Sequence, residues 1–214
     1  MTNGGGLRAL VFDMDGTLIE SSTVIPDAYI SLVEDLGGRT FARDEIVALY
    51  SVGPTKALLT HLLERPASDD EVDAYHRRLG ELAGGVTVYD GIEETLEALR
   101  QQSVPLAVYT GASLRSCRIL LGAAGLLDHF DALVGADEVA RSKPEPDGIH
   151  LACERLGVAP ASAAYVGDAT NDLEAARRSG ARAVAAAWGH LYKPGEPADV
   201  VLEDPRDLVG LVSG

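Results

Sequence analysis

Asp13 and Asp15 stand two residues apart in the run Phe12-Asp13-Met14-Asp15-Gly16-Thr17-Leu18, directly behind an apolar stretch. Carboxylates are costly to place beside a sheet core unless something uses or neutralises them. Asp13 can attack an electrophile, and Asp15 can give and take a proton. Gly16 permits the tight turn such a crowded loop needs. Asp-Gly is also a common turn pair, so the run by itself reads as an ordinary polar loop too.

Three further polar clusters follow apolar runs. Val108-Tyr109-Thr110-Gly111-Ala112-Ser113 offers a hydroxyl and free backbone N–H groups that can cradle a phosphoryl oxygen. Helix capping by Thr110 or Ser113 accounts for the same residues. In Ser142-Lys143-Pro144-Glu145-Pro146-Asp147 a lysine between prolines is a fixed cation, able to neutralise a phosphate and a nucleophile. It also suits a solvated position before a helix. In Val166-Gly167-Asp168-Ala169-Thr170-Asn171-Asp172 two acids four residues apart at a helix start can face one point, or cap the helix twice.

Taken together the clusters say more than any one alone. If the loops converge, Asp13, Asp15, Asp168 and Asp172 oppose a single cation, Lys143. Four carboxylates do not stay ionised together without a further counter-charge. A hard dication with oxygen ligands answers this, and Mg²⁺ fits best. A metal beside a nucleophilic aspartate, a lysine and a hydroxyl is equipment for phosphoryl transfer.

Such loops need a scaffold that brings strand ends together. Strands are expected at Leu7–Phe12, Val104–Tyr109, Ala132–Gly135, Ala163–Val166, Ala181–Ala187 and Asp199–Leu202, alternating with helical patterns at Ile92–Arg100, Leu114–Ala123, Ile149–Leu156 and Leu173–Arg178. Near-continuous apolar strands separated by helices imply an α/β fold, a Rossmann-like parallel sheet with helices on both faces. Ligands in such sheets bind beyond the carboxyl ends of the strands, where all four clusters fall. Between residues 21 and 85 the rhythm changes. Pro26–Leu36, Arg43–Leu49, Thr55–Leu63 and Asp70–Leu82 read as amphipathic helices with no strand between them. Ser21-Ser22-Thr23 and Gly84-Gly85 suit flexible joints. The expected organisation is a core of residues 1–20 and 86–214 with an inserted small α-helical cap domain, residues 21–85; several helices on one side of a single domain is the other arrangement of this pattern.

Composition excludes several classes. The chain has 214 residues, 46% of them hydrophobic and 24% charged, enough to bury a core. Its net charge is −15, which argues against nucleic acid and anionic membrane as partners, since both need a basic face. No apolar run reaches the roughly 18 residues that span a bilayer. Met1–Gly6 has no apolar signal region, Gly4–Gly6 reads as a frayed terminus, and a cytoplasmic location is expected. Cys117 and Cys153 are too few for a disulfide framework and suit small buried thiols. No exposed helical repeat suggests a coiled coil, so a monomer is the default.

The four clusters, in this order, resemble the motifs of the haloacid dehalogenase superfamily in its phosphatase branch. Asp13-Met14-Asp15-Gly16-Thr17-Leu18 matches the first motif, Thr110 the second, Lys143 the third, and Gly167-Asp168 with Asp172 the fourth. The insert resembles the helical cap of the phosphoglycolate phosphatase and β-phosphoglucomutase type. The resemblance implies a small phosphorylated metabolite as substrate and an aspartyl phosphate on Asp13, with Asp15 protonating the leaving alcohol and then activating water. It implies Mg²⁺ held by Asp13, the backbone carbonyl of Asp15 and Asp168, with Asp172 holding metal-bound waters. Thr110 and Lys143 would bind the phosphoryl group, and Gly16 and Thr17 would add backbone contacts. An acid at position 15 favours phosphate esters over the phosphonates and haloacids of other branches. Gly111-Ala112 departs from the Asn or Ser that relatives often carry after the second-motif residue, which bears on how the phosphate or leaving group is held.

Specificity is expected from the cap loop Ser51-Val52-Gly53-Pro54-Thr55-Lys56, where Gly53-Pro54 forces a turn and Lys56 either meets an anionic substrate tail or is simply solvated. Arg115 either reaches the site or lies on a helix surface. Tyr29 and Tyr50 suit the cap interface or the core, and Trp188 with Gly189-His190-Leu191 either borders the site or packs. Phosphoglycolate is the first substrate to consider by likeness alone. A sugar phosphomutase of the same fold is the alternative, although Glu20–Tyr29 lacks the His such enzymes tend to carry there. A phospho-accepting receiver domain is more distant, because its acceptor follows a middle strand and it has no helical insert.

Overall fold

The computed structural model describes residues 6–212; residues 1–5 of the expected frayed start lie outside the described residues. The chain opens with β1 (Ala9–Phe12) and a short β2 (Ile19–Glu20). Four helices follow, α1 (Val24–Asp35), α2 (Arg43–Ala48), α3 (Thr55–Leu62) and α4 (Asp69–Leu82). A short β3 (Thr87–Val88) returns antiparallel to β2, so the two chain crossings that bracket the helices are hydrogen-bonded to each other. The rest alternates: α5 (Ile92–Gln101), β4 (Leu106–Tyr109), α6 (Leu114–Ala123), β5 (Ala132–Val134), α7 (Asp147–Leu156), β6 (Ala163–Gly167), α8 (Thr170–Ser179), β7 (Arg182–Ala186), β8 (Val200–Leu202) and α9 (Leu208–Val212).

The six core strands form one parallel sheet in the order β5-β4-β1-β6-β7-β8. All six strands expected from the sequence are present. The chain steps from β1 outward through β4 and β5, then returns to β6 on the other side of β1. This reversal opens a crevice at the carboxyl end of β1.

Strand alternation sorts β1 between two apolar layers. Leu10, Phe12 and Met14 join the layer containing α5 and α6, through Leu96, Leu99, Cys117 and Leu120. Ala9 and Val11 join the layer under α7 and α8, with Tyr109, Tyr165, Ile149 and Leu173. Asp13 follows Val11 in that alternation, so it emerges on the side of the two tyrosines. The α1–α4 segment continues the first layer: Tyr29 of α1 stacks on Tyr75 of α4 with ring centroids 4.1 Å apart, and α4 lies against α6. Cys117 and Cys153 are free and buried, as expected. No helix among the described residues is long and apolar enough to cross a membrane.

One expectation changes. Ser21, read as part of a flexible joint, is buried and its hydroxyl donates to Asp15 Oδ1. Gly84 and Gly85 lie in a single 3₁₀ turn, Ala83–Gly85, directly before β3.

Candidate active site

Asp13 sits one residue beyond β1, and its N–H still donates to Val166 O at 2.8 Å, which extends the β1–β6 ladder into the loop. The chain then turns sharply: the N–H groups of Thr17, Leu18 and Ile19 all point to Met14 O, and Gly16 N–H reaches Ile19 O at 2.9 Å. Gly16 adopts φ +86°, in the left-handed region that favours glycine, and a Cβ there would lie 2.4 Å from Asp168 Oδ2. Both conformation and space therefore demand glycine in this turn.

Lys143 joins the loops. Its Nζ donates to Asp13 Oδ1 and Asp172 Oδ1, each at 2.6 Å, and to the Tyr165 hydroxyl at 3.1 Å. The side chain is only 7% exposed, so this is a buried ion triad. The Tyr165 hydroxyl donates to Tyr109 O at 2.9 Å, and the Tyr109 hydroxyl accepts from Lys143 N–H at 3.2 Å. Two tyrosines thus wall the lysine and fix its reach. All three ammonium protons are committed to these partners, so Lys143 spends its charge on the two carboxylates. Asp172 Oδ2 accepts from Ala169 N–H at 3.0 Å, so this acid both caps α8 and faces the lysine.

Asp168 is held differently. Its Oδ2 accepts from Leu191 N–H at 2.9 Å, whereas its buried Oδ1 has no hydrogen-bond partner. An ionised oxygen orphaned in the interior is costly unless something else completes it. Asp13, Asp168 and Asp172 present carboxylate oxygens that all lie within 4.8 Å of one another. An oxygen-only donor set with one oxygen uncommitted fits a hard divalent cation. The acids register that missing charge. Burial, then the Asp172 charge, holds Asp13 well above the ordinary carboxylate range against the opposing pull of Lys143. Burial also raises Asp15, and it lifts Asp168 to about 6.

The sign of the resulting linkage is set. Between the ordinary value of 3.8 and about 6, native Asp168 carries more proton than the unfolded chain, so its stabilising contribution is lost as pH rises through that window. A cation bound to the ionised acid reverses the loss. The gain in Tm on adding Mg²⁺ is therefore expected to be larger at pH 7.5 than at pH 5. Calorimetry with and without Mg²⁺ at both pH values checks this; an equal gain at both would contradict it.

Of the other sequence-predicted residues, Thr110 is buried at the end of β4, with Oγ1 accepting from Ala112 N–H at 3.1 Å. Thr17 is buried and its hydroxyl is unpartnered. A Cβ on Gly111 would meet nothing within 4 Å, so the backbone beside Thr110 borders open space. Gly53 has φ +136° in the turn before α3. Lys56 lies on Asp69 at 2.7 Å with 60% of its side chain exposed, and Arg115 pairs with Asp73. Among the described residues no hydrogen bond or ion pair joins Gly53, Lys56 or Arg115 to the acidic cluster.

Sequence reading missed three participants: Ser21 on Asp15, and Tyr165 and Tyr109 around Lys143. These carry no local signal, because a strand tyrosine and a linker serine look like packing and turn residues. Gly189 was only a candidate border residue. A Cβ there would lie 2.3 Å from both Asp168 Cβ and Gly16 O. Neighbouring Trp188 donates its Nε1–H to Thr17 O at 2.9 Å, so the loop after β7 buttresses the β1 turn. Gly189→Ala is expected to cost about 1–3 kcal/mol through overpacking and to weaken divalent-cation binding by about tenfold or more through displaced Asp168. Thermal melts and a Mg²⁺ titration check both parts.

The comparisons with known proteins agree with this geometry. The family model described as haloacid dehalogenase-like hydrolase matches residues 7–180. A protein of Dickeya dadantii named probable phosphatase IndB is 35% identical over 213 residues, covering 94% of this chain and 91% of that one. A phosphoglycolate phosphatase of Aquifex aeolicus is 32% identical over 207 residues, covering 96% and 97%. Among solved structures, CbbY of Rhodobacter sphaeroides in complex with phosphate superposes with a TM-score of 0.81 at 27% identity, covering 96% and 99%. With the family model matched over residues 7–180 and a scaffold shared over nearly the whole length with these proteins, the chain, its acidic cluster only partly offset by one lysine, belongs to the haloacid dehalogenase-like hydrolase family.

Proposed function

We propose that this hydrolase is a Mg²⁺-dependent phosphatase that cleaves a small phosphomonoester through an aspartyl phosphate on Asp13. The observation that carries the reading is Lys143 bridging Asp13 and Asp172 at 2.6 Å each, beside an Asp168 oxygen with no partner. Phosphatase relatives and a neighbour crystallised with phosphate support it.

Asp13, the Asp15 carbonyl and Asp168 would hold the cation, with Asp172 supporting its waters. When bound, the cation neutralises the carboxylates and draws charge from the phosphoryl oxygens. Asp13 forms a bond to phosphorus as the ester P–O bond breaks. Asp15, kept protonated to higher pH by burial, gives its proton to the departing alkoxide oxygen. The Asp15 carboxylate then takes a proton from water. The resulting oxygen attacks phosphorus, and cleavage of the acyl phosphate returns Asp13 and releases inorganic phosphate. Ser21 holds Asp15 Oδ1 and so orients the acid. Thr110 and Lys143 receive the phosphoryl oxygens, helped by the backbone of Gly16 and Thr17. Residues 21–85 act as a cap that excludes water while substrate is bound, on a core of 1–20 and 86–214.

A serine, rather than a histidine, meets the acid from the first linker, which favours hydrolysis over the mutase alternative. The test is phosphate release over a panel of phosphorylated metabolites, with phosphoglycolate as the reference ester. Turnover with Mg²⁺ and its loss in EDTA are expected. Isomerised sugar phosphate without phosphate release would replace this reading with the mutase.

A further inference from the structure

The loop after β7, residues 188–191, is bonded to each of the parts that meet at the site. Trp188 Nε1–H donates to Thr17 O at 2.9 Å in the β1 turn, and Leu191 N–H donates to Asp168 Oδ2 at 2.9 Å. Between them stands His190. Its Nδ1 lies 3.1 Å from the Tyr89 hydroxyl, and that hydroxyl donates to Glu20 Oε2 at 3.2 Å. Tyr89 directly follows β3 and Glu20 ends β2, so His190 is bonded to the hairpin that brackets the α1–α4 segment. The Tyr89 N–H also donates to Leu18 O at 3.2 Å, which anchors the tyrosine by its backbone as well as its ring.

The chemistry fixes the direction of these bonds. An ionised carboxylate only accepts, so the single Tyr89 hydroxyl proton goes to Glu20 and the phenol oxygen receives from His190. His190 therefore carries its proton on Nδ1. Glu20 is itself held by Ser22 N–H at 2.7 Å.

What these bonds steady is Asp168. One N–H, that of Leu191, decides which Asp168 oxygen the protein uses and which, Oδ1, is left without a partner. That N–H belongs to the residue directly after His190. Side-chain bulk does not hold the loop in place. A Cβ on Gly189 would lie 2.3 Å from Asp168 Cβ, and Leu191 is 45% exposed. The hydrogen bonds of Trp188 and His190 set the position of the loop instead.

We propose that His190 is a positioning residue for the cation site: through Tyr89 it ties the loop to the β2–β3 hairpin, keeps the Leu191 N–H on Asp168 Oδ2, and so leaves Oδ1 to the cation. The inference rests on the reading that Asp168 holds a divalent cation. Metal affinity then depends on a bond made at the hairpin, outside the acids themselves.

The experiment is a calorimetric Mg²⁺ titration of the full chain, without substrate, alongside thermal melts in EDTA. Tyr89→Phe keeps the ring and removes its bonds to Glu20 and His190 with no change of charge. His190→Ala removes the donor, and His190→Asn restores one, because its amide nitrogen falls near the place of Nδ1. Tyr89→Phe and His190→Ala are expected to weaken Mg²⁺ binding about tenfold, with melts in EDTA close to the parent's, while His190→Asn stays within about threefold of the parent. Charge does not imitate this result, since removing a neutral or positive side chain leaves a cation no less welcome. Tyr89→Phe binding as tightly as the parent overturns the inference, and so does His190→Asn binding as weakly as His190→Ala. Should His190→Ala melt far below the parent, Tyr89→Phe decides by its own titration. A parent that binds no Mg²⁺ defeats the cation reading of Asp168, and this inference falls with it.

Discussion

Asp13→Asn is expected to abolish phosphate release, by about 10⁴-fold or more, without unfolding the protein. The amide keeps the shape of the carboxylate and its place one residue past β1, but it has no lone-pair anion to attack phosphorus. Its effect on stability should run the opposite way. Burial and the Asp172 charge make ionised Asp13 unfavourable in the metal-free protein. A neutral amide removes that repulsion and leaves Lys143 paired with Asp172. In EDTA at neutral pH the variant is therefore expected to melt no lower than the parent, and the advantage should shrink when Mg²⁺ is added. Phosphate release and thermal melts measured on the same preparations check the pair of outcomes. A variant that is inactive and strongly destabilised without metal would mean Asp13 is a structural partner of Lys143 rather than a strained nucleophile.

Lys143→Met is expected to fail on both counts. It removes the single cation from a buried triad and strands Asp13 and Asp172 together. Breaking a buried pair on one side costs about 3–5 kcal/mol, which for a chain of this length lowers Tm by roughly 10 °C. Loss of the charge that receives the phosphoryl group should reduce kcat by a further factor of about 10² to 10³. Lys143→Arg should rescue little, because a planar guanidinium does not fit a slot walled by Tyr109 and Tyr165, whose ring centroids lie 5.4 and 5.7 Å from Nζ. The double variant with Asp172→Asn separates the causes. It should recover stability, since one stranded charge is gone, and recover no activity.

Much of the scaffold was legible in the chain because the signals are local. An apolar run of four to six residues followed by a turn residue marks each core strand, and each of the six is found within two residues at either end. The β2–β3 pair was not legible. Two residues per strand show no alternation, and what joins Ile19–Glu20 to Thr87–Val88 is a pairing across the whole helical segment. The same pairing explains Ser21: hydroxyl residues in a linker look like a hinge until the hairpin pins them beside Asp15.

Local patterns along the chain carry the parallel α/β order, the four polar clusters after apolar runs, and an excess of acid that calls for a divalent cation. These follow from composition and from patterns a few residues long. Who pairs with whom is settled by the folded arrangement. Lys143 lies 130 residues from Asp13, and Gly189 meets Gly16 across most of the chain. It also decided that Lys143 is already shared between two acids, that Asp168 keeps one oxygen uncommitted, and that Lys56 and Arg115 are matched by Asp69 and Asp73. Charge is counted along a sequence, but its effect depends on distance and burial, and both are set when the strand ends are brought together.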